Sequence, residues 1–256
     1  MPTTSQYPEE VPFGVWAYTY NSKNKTVNTI HTQREIMSNA KVEYTDKEWL
    51  PNIPTYWPAG TQMLFFAYSP YSDKVKFSNE RGIYWDDVDL TNDNTEYMFS
   101  YPISDCEREQ CGGLIPLPFI RALSRVEFRM RLAVIDERKL HLKGLRVANA
   151  AYRGSFSTLP LPHWELMEQT MDVECCDKEM PVMDEITLVS IHDFMPQTLK
   201  TKLIVVVDIY DNRGFCLDKN VEISTEMNVK WHPGEYTVYT LNISTHKVTF
   251  TTDIQQ

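Results

Sequence analysis

Four closely spaced aspartates are the densest group of potential metal ligands in the sequence: Asp86, Asp87, Asp89 and Asp93. Carboxylate oxygens at alternate positions suit Ca²⁺, a hard cation that takes about six to eight oxygen ligands. The EF-hand spacing is not met, because the twelfth position counted from Asp87 is Met98 rather than glutamate. We therefore interpret the group as a solvated acidic turn, with a Ca²⁺ site as the alternative.

Catalytic motifs are absent from the sequence. The nine glycines form neither a phosphate-binding loop nor a nucleophile elbow. A zinc site needs three or four converging nitrogen or sulfur ligands, and the six histidines lack that spacing: His31, His141, His163, His192, His232 and His246. The sequence therefore predicts a non-enzymatic protein without cofactor or metal. A hydrolase whose site is assembled from distant loops is the alternative from another functional class.

The five cysteines fit neither a disulfide scaffold nor a metal cluster. Cys106 and Cys111 share a polar loop and could form a disulfide in an exported protein, although free thiols are the favoured interpretation. Cys175 and Cys176 are adjacent and are not expected to bridge each other, and Cys216 is interpreted as a small strand residue. An odd number leaves at least one thiol unpaired within the chain.

A basic stretch and an aromatic group each have a structural and a functional interpretation. The arginines at 121, 125, 129 and 131 are interpreted as the hydrated face of a sheet in an otherwise acidic protein. Aromatic side chains can stack on sugar rings, and candidates for such lectin-like use are Tyr68, Tyr71, Tyr84 and Trp85. Burial in a core is the favoured interpretation for these four.

The overall charge and hydropathy limit the classes of partner. A net charge of −10 argues against a nucleic-acid partner, which calls for a basic face. No apolar run reaches the roughly 18 residues that a membrane-spanning helix needs. The first residues, MPTTSQYPEEVPFG, lack the basic start and apolar stretch of a signal peptide. The protein is therefore either intracellular or a form whose leader is missing.

Alternation of apolar and polar residues is the dominant pattern. It predicts strands with one buried face at Val126–Val134, at Tyr239–Ile243 and from Val248 through Phe250 to Ile254. Two runs that are apolar on both faces, Met63–Tyr68 and Leu203–Val207, predict central strands covered on both sides. Further strands are expected at Val11–Tyr20, Leu140–Ala148, Ile186–His192 and Glu222–Val229, with a turn at Asp211–Gly214 and short helical turns near Thr45–Leu50 and Thr91–Phe99.

Many short strands separated by polar turns predict a mainly β fold of antiparallel sandwiches. The boundary between two domains is expected within Cys111–Pro118, where two glycines precede two prolines. This gives an N-terminal domain of residues 1–115 and a C-terminal domain of residues 116–256.

Several stretches together resemble the fimbrillin family of Bacteroides-type bacteria, the Mfa-like and FimA-like subunits of type V pili. Each stretch by itself is only a weak match to the family, but the stretches follow one another in the family's order and spacing across nearly the whole chain. They are Phe13–Tyr18, Tyr56–Pro58, Leu64–Pro70, Leu117–Phe128, Gly154–Ser157 before Trp164, Met195–Leu199 and Trp231–Leu241.

The resemblance implies two transthyretin-like β-sandwich domains in tandem, export as a lipoprotein and display on the outer membrane or in a fimbrium. In the family, an arginine-specific protease removes an N-terminal segment, and a strand from another subunit fills the groove that this opens. No lipobox cysteine and no early strand with a cleavage site precede Phe13, so we expect the sequence to begin downstream of the leader. Arg34 is a weaker candidate for cleavage.

An incoming strand can satisfy unpaired backbone groups and fill an apolar slot at once. Val248, Phe250 and Ile254 have the spacing of such a donor strand. The alternative is that they form the last strand of their own domain, which is favoured for Val248 and Phe250 and left open for Ile254. The expected partners are other fimbrial subunits, with host proteins or glycans if the chain is a tip adhesin. Contact with a membrane is expected only through a lipid anchor outside this chain.

Overall fold

The computed structural model describes residues 7–20, 32–59, 61–91, 93–106, 114–133 and 138–255, without the side chains of residues 20, 32, 33 and 104–106. In these ranges the regular secondary structure consists of strands, and no helix occurs. The predicted mainly β class is thus confirmed. The strands are β1 (Phe13–Tyr20), β2 (Thr32–Thr45), β3 (Glu48–Pro51), β4 (Gln62–Ser69), β5 (Lys76–Ser78), β6 (Gly82–Asp89), β7 (Met98–Cys106), β8 (Phe119–Arg121), β9 (Ser124–Leu132), β10 (Lys139–Ala151), β11 (Arg153–Ser157), β12 (His163–Leu166), β13 (Thr170–Cys176), β14 (Met180–Val182), β15 (Thr187–Phe194), β16 (Thr198–Tyr210), β17 (Cys216–Lys230), β18 (Tyr236–Ile243) and β19 (Val248–Gln255).

The two predicted helical turns are wrong. Thr45–Leu50 is the hairpin between β2 and β3, in which Asp46 and Lys47 have φ of 54° and 70°. Positive φ at both central residues is the geometry of a tight two-residue hairpin turn. In the second span, the described residues 93–97 have no regular structure before β7, and the Asp93 carboxylate accepts the backbone N–H of Thr95 at 2.8 Å. Such local bonds compete with helix formation.

The chain divides into two compact units. The first contains the described residues up to Ala122 together with Gly154–Glu165, and the second contains Leu123–Arg153 and Leu166–Gln256. This differs from a contiguous division at 115/116, since 116–122 and 154–165 group with the first unit. The reason is pairing and packing: β8 pairs with β7, and the Phe156 ring lies 5.1 Å from that of Trp85 and 5.2 Å from that of Phe99.

The first unit contains a six-stranded sheet of order β3-β2-β1-β4-β7-β8 and a four-stranded sheet of order β12-β11-β6-β5. Aromatic rings fill the space between these sheets. The Phe77 ring lies 4.8 Å from Phe66 and 4.9 Å from Tyr18, and the Trp85 ring lies 6.0 Å from Tyr68. Every residue of β4 after Gln62 is buried, which confirms that this strand is covered on both faces.

The second unit contains a sheet of order β13-β10-β16-β17, with β14 also paired to β10, and a four-stranded sheet of order β15-β9-β18-β19. Its core combines alternate residues of both sheets, including Phe128, Leu142, Val205 and Leu241. The expectation that Leu203–Val207 is covered on both sides is wrong, because Ile204 and Val206 are only partly buried. On this face, Arg146 of the neighbouring strand β10 and Glu222 of the neighbouring strand β17 form an ion pair across β16, with an N–O distance of 2.6 Å.

One ladder corrects the expectation of purely antiparallel sheets. β18 pairs with β9 in parallel, from Tyr236 opposite Arg125 to Ile243 opposite Leu132. Parallel neighbours need a long connection, and here the chain between β9 and β18 includes the five strands of the facing sheet. The other predicted strands are confirmed by β1, β9, β10, β15, β17, β18 and β19. However, β1 begins at Phe13 rather than Val11, β15 begins at Thr187 rather than Ile186, and β9 ends at Leu132, with Val134 outside the described residues.

Gly14 allows the close packing at the centre of the first unit. It lies opposite Tyr68 across β1 and β4, and the Tyr68 ring occupies the space that a side chain at Gly14 would take. The Tyr68 side chain is buried, and its hydroxyl group, with one hydrogen to donate, lies 2.7 Å from Asn39 Oδ1 and 2.8 Å from the Ser72 carbonyl oxygen, both of which are acceptors. Burial raises the pKa of Tyr68, so the hydroxyl stays protonated and remains a donor.

We expect Gly14→Ala to lower the free energy of unfolding by about 1–3 kcal/mol, the usual cost of overpacking a core. The added methyl group must displace a buried ring that hydrogen bonds hold in place. Gly144→Ala in β10 is the matched control, because its nearest neighbour would be Glu174 Oε1 at 3.5 Å, an ordinary contact. Urea unfolding followed by circular dichroism measures both. Equal stability of the two variants would contradict the role assigned to Gly14.

Candidate assembly site

The candidate donor residues lie on β19, the last strand of the four-stranded sheet of the second unit. β19 pairs with β18 over eight consecutive residue pairs, from Ile243 opposite Val248 to Tyr236 opposite Gln255, without a register shift. The turn that joins the strands is fixed by local bonds: the Ser244 N–H donates to the Lys247 carbonyl at 2.9 Å, and the Lys247 N–H donates to Ser244 Oγ at 3.1 Å. β19 is thus anchored at its first residues.

Burial decreases along β19. Alternation places Val248, Phe250 and Ile254 in the row that faces the core, because they lie opposite Ile243, Leu241 and Thr237. Val248 is 2% exposed, and Phe250 is partly buried with its ring 5.5 Å from that of Tyr239. Ile254 belongs to the same row and is 56% exposed. Val248 and Phe250 therefore contribute to the core of their own unit, whereas Ile254 does not.

The outer face of this sheet carries the arginine row. The Arg125 guanidinium donates to both carboxylate oxygens of Asp193 at 2.9 and 3.0 Å, and Arg131 donates to Asn242 Oδ1 at 2.6 Å. Arg129 donates to Glu127. The interpretation of these three arginines as a hydrated face agrees with this geometry, whereas Arg121 lies in the first unit and pairs with Glu96 at 2.5 Å.

Glu127 lies in the middle of that outer face. Burial by itself would raise the pKa of Glu127, but hydrogen bonds from Tyr236 and Arg129 outweigh it and hold the pKa below its usual value. The carboxylate therefore stays ionised and stabilises the pairing of β9 with β18. Sequence reasoning did not single out Glu127, since its role depends on a tyrosine far along the chain.

A second surface of interest is the face of the six-stranded sheet that points away from the four-stranded sheet in the first unit. Its apolar row includes Phe13, Val15, Ala17, Met63 and Phe65. The residues packed against this row are partly buried, and several come from segments without strand structure, among them Tyr7, Trp57, Ile115 and Leu117.

Tyr7 is a central member of that cover. Its ring stacks on Phe119 at 4.9 Å and meets Trp49 edge-on at 5.3 Å. Its hydroxyl and Ser69 Oγ are 2.5 Å apart. An irregular segment thus covers part of this apolar sheet face. Sequence reasoning missed Tyr7, because no periodic pattern surrounds it.

Carboxylates of the acidic cluster accept hydrogen bonds from other residues of the same chain. Asp86 accepts bonds from Arg81 at 2.9 Å and Lys76 at 3.2 Å, and the Arg81 bond is the main reason that its pKa is lowered. Burial would raise the pKa of Asp93, but hydrogen bonds from Thr95 and Tyr97 lower it overall. Among the described residues, no group of three or more histidine, cysteine or acidic side chains is arranged to hold a metal ion. The geometry thus gives no support to a Ca²⁺ site.

The aromatic candidates for sugar stacking do not form one surface. Tyr68 and Trp85 are buried in the core of the first unit. Tyr84 is partly buried, with the Arg81 guanidinium 3.9 Å from its ring centre, and Tyr71 donates to Asp73 at 2.6 Å. The favoured interpretation as core residues is therefore confirmed for Tyr68 and Trp85.

Cys175 and Cys176 are free and buried, and burial raises the pKa of Cys175. Cys216 is free and exposed at the start of β17. Cys111 and the side chain of Cys106 lie outside the described residues, so their pairing stays open.

Two of the cavities that described residues line are in the second unit, with volumes of about 320 and 280 Å³. Leu132, Arg138 and Leu140 line both. The described lining of the larger cavity contains His246 and no carboxylate, and that of the smaller contains His141 and Asp184. Neither groups a nucleophile with a base and an orienting residue, so the cavities offer no argument for the hydrolase alternative.

The fimbrillin-like family model matches residues 2–256. The chain belongs to the fimbrillin-like family. This match extends over both compact units and confirms the resemblance seen in the sequence. Membership in the family supports a fimbrial role and an exported location at the cell surface. A comparison with curated proteins gives no match.

Solved structures show the same fold. A fimbrial protein from Bacteroides vulgatus is 17% identical with a TM-score of 0.72, and the alignment covers 95% of this chain and 92% of that one. A proposed cell adhesion protein from Bacteroides uniformis is 12% identical with a TM-score of 0.57, covering 98% and 92%. A third, from Bacteroides ovatus, is 13% identical with a TM-score of 0.57, covering 98% and 88%. The fimbrillin-like chain thus has the β-sandwich fold of these proteins, while the transthyretin-like class of its two domains stays a prediction.

No helix among the described residues is long and apolar enough to cross a membrane.

The burial gradient along β19 predicts different costs of truncation. We expect Val248→Ala to lower the free energy of unfolding by about 2 kcal/mol, since it removes two buried carbon atoms and leaves a cavity. Ile254→Ala is expected to change it by less than about 0.5 kcal/mol, as surface substitutions usually do. Urea unfolding measures both. A loss at Ile254 as large as that at Val248 would show that Ile254 belongs to the core after all.

Proposed function

We propose that this chain is a non-enzymatic fimbrial subunit that assembles with other subunits by donation of a β-strand, and that the end of β19 is the donor. The observation that carries the proposal is Ile254, an apolar residue in the core-facing row of β19 that its own unit leaves 56% exposed. Val248 and Phe250 precede it in the same row and extend the apolar spacing. A donor strand needs such a row, because alternate side chains fill pockets of the acceptor.

The acceptor in this proposal is the apolar face of the first unit that Tyr7 and its neighbours cover. That face combines β1 and β4 with a cover from segments outside the sheet. An incoming strand that replaces this cover buries the same apolar row. Release of the segment around Tyr7 breaks contacts with Phe119, Trp49 and Ser69.

Partial release of β19 is less costly than release of the whole strand. Thr251 to Gln255 are all exposed, so their departure uncovers little apolar surface and breaks mainly their backbone bonds to β18. Val248 and the turn at Ser244–Lys247 then hold the base of the donor in place. In cells, we propose that the subunit is held at the outer membrane through a lipid anchor outside this chain.

We expect deletion of Ile254 to Gln256 to reduce polymer formation by at least several-fold, since it removes the exposed member of the apolar row. Polymers isolated from the surface of the producing bacterium and measured by electron microscopy give the readout. Ile254→Lys should act like the deletion. Gln255→Lys is its matched control, because it adds the same charge to the opposite face of the strand. Unchanged polymers in the deletion variant would rule out this donor.

A further inference from the structure

The outer edge of β19 is an unprotected sheet edge. β19 pairs with β18 alone, and its backbone groups on the other side have no backbone partner among the described residues. The strand contains one charged residue, Asp253, and neither proline nor a bulge. Sheet edges are normally blunted by charges, prolines or bulges, because an open edge is a template for another strand.

The edge strand β17 of the facing sheet shows the contrast. Its pairing with β16 contains register shifts. It also carries five charged residues: Asp218, Lys219, Glu222, Glu226 and Lys230. This edge therefore has the features that oppose pairing with a further strand. β19 has high β propensity because of its threonine, valine, phenylalanine and isoleucine residues. It has one charged residue and no register shift.

The register of β19 shows which strand fits its edge. Phe250, Thr252 and Ile254 lie on the core side, while Thr249, Thr251, Asp253 and Gln255 lie on the outer side. A two-fold axis perpendicular to the sheet brings the same strand of a second copy alongside, antiparallel and with its core side facing the same way. With the axis at Thr252, Phe250 lies opposite Ile254 of the second copy, and Thr251 lies opposite its Asp253.

These pairs are complementary in both rows. In the core row, Phe250 and Ile254 meet each other, and in the outer row each Asp253 carboxylate meets the Thr251 hydroxyl group, which can donate to it. Other registers are poorer. An axis at Asp253 puts two carboxylates directly opposite each other, which is destabilising, and an axis at Thr251 puts Phe250 opposite a threonine.

We infer that two copies of this chain pair through β19 about Thr252, which joins their four-stranded sheets into one continuous sheet. The exposure of Ile254 follows, because its cover is Phe250 of the second copy. This dimer does not rest on strand donation. The two uses of β19 exclude each other within one copy, so the pairing keeps the donor residues covered until they are released.

The test is sedimentation equilibrium of the full chain, over a range of concentrations, for the wild type and three variants. Thr251→Glu puts like charges opposite each other twice per dimer and should weaken the dimer about tenfold. Thr251→Lys puts opposite charges together and should tighten it. Thr251→Glu combined with Asp253→Lys restores opposite charges and should recover the wild-type affinity or better. Thr251 is exposed and on the outer side, so the monomer fold should be unaffected, as circular dichroism checks.

A wild-type chain that is monomeric at several hundred micromolar would overturn the inference, as would Thr251→Glu and Thr251→Lys variants with equal association. The test is separate from that of the proposed function. Thr251→Glu leaves Val248, Phe250 and Ile254 in place, so it should weaken the dimer and preserve polymers if both proposals hold. Strand donation is tested separately by the Ile254→Lys variant, for which that proposal predicts a loss of polymers.

Discussion

A β-sheet has two faces and two edges, and each of them must be covered, paired or hydrated. In a fold whose described part contains no helix, every cover has to come from another sheet, from an irregular segment or from ion-paired side chains. The core sides of both units are satisfied by sheet-on-sheet packing, with aromatic rings in the first unit and mainly aliphatic side chains in the second. What remains are the outer faces and the edges, and these are where the molecule can act.

The outer faces are satisfied in different ways. In the second unit, ion pairs and polar hydrogen bonds cover them, as in Arg125 with Asp193 and Arg146 with Glu222. Such pairs contribute little stability individually when they are exposed, but they keep a face hydrated and unattractive to an apolar partner. In the first unit, the outer face of the six-stranded sheet is apolar and is covered by segments that include Tyr7 and Leu117. This difference is the reason that the proposed acceptor face lies in the first unit.

The edges differ as well. β17 is charged and irregular, whereas β19 is regular, exposed and nearly uncharged. If both proposals hold, pairing of β19 between two copies covers this unprotected edge until donation to another subunit replaces that pairing.

Alternation by itself predicted the fold class and several strands, because a strand with one buried face imposes a period of two that few other structures share. It identified β9, β18 and β19 and placed Val248, Phe250 and Ile254 in one row, whereas a run that is apolar on both faces identified β4. The order of the strands was not readable from the same pattern, since the parallel pairing of β9 with β18 and the grouping of 154–165 with the first unit depend on contacts between distant segments. Local periodicity also could not show that Ile254 is exposed or that Tyr7 covers an apolar face. Burial depends on what the rest of the chain places above a residue, and only the tertiary structure decides that.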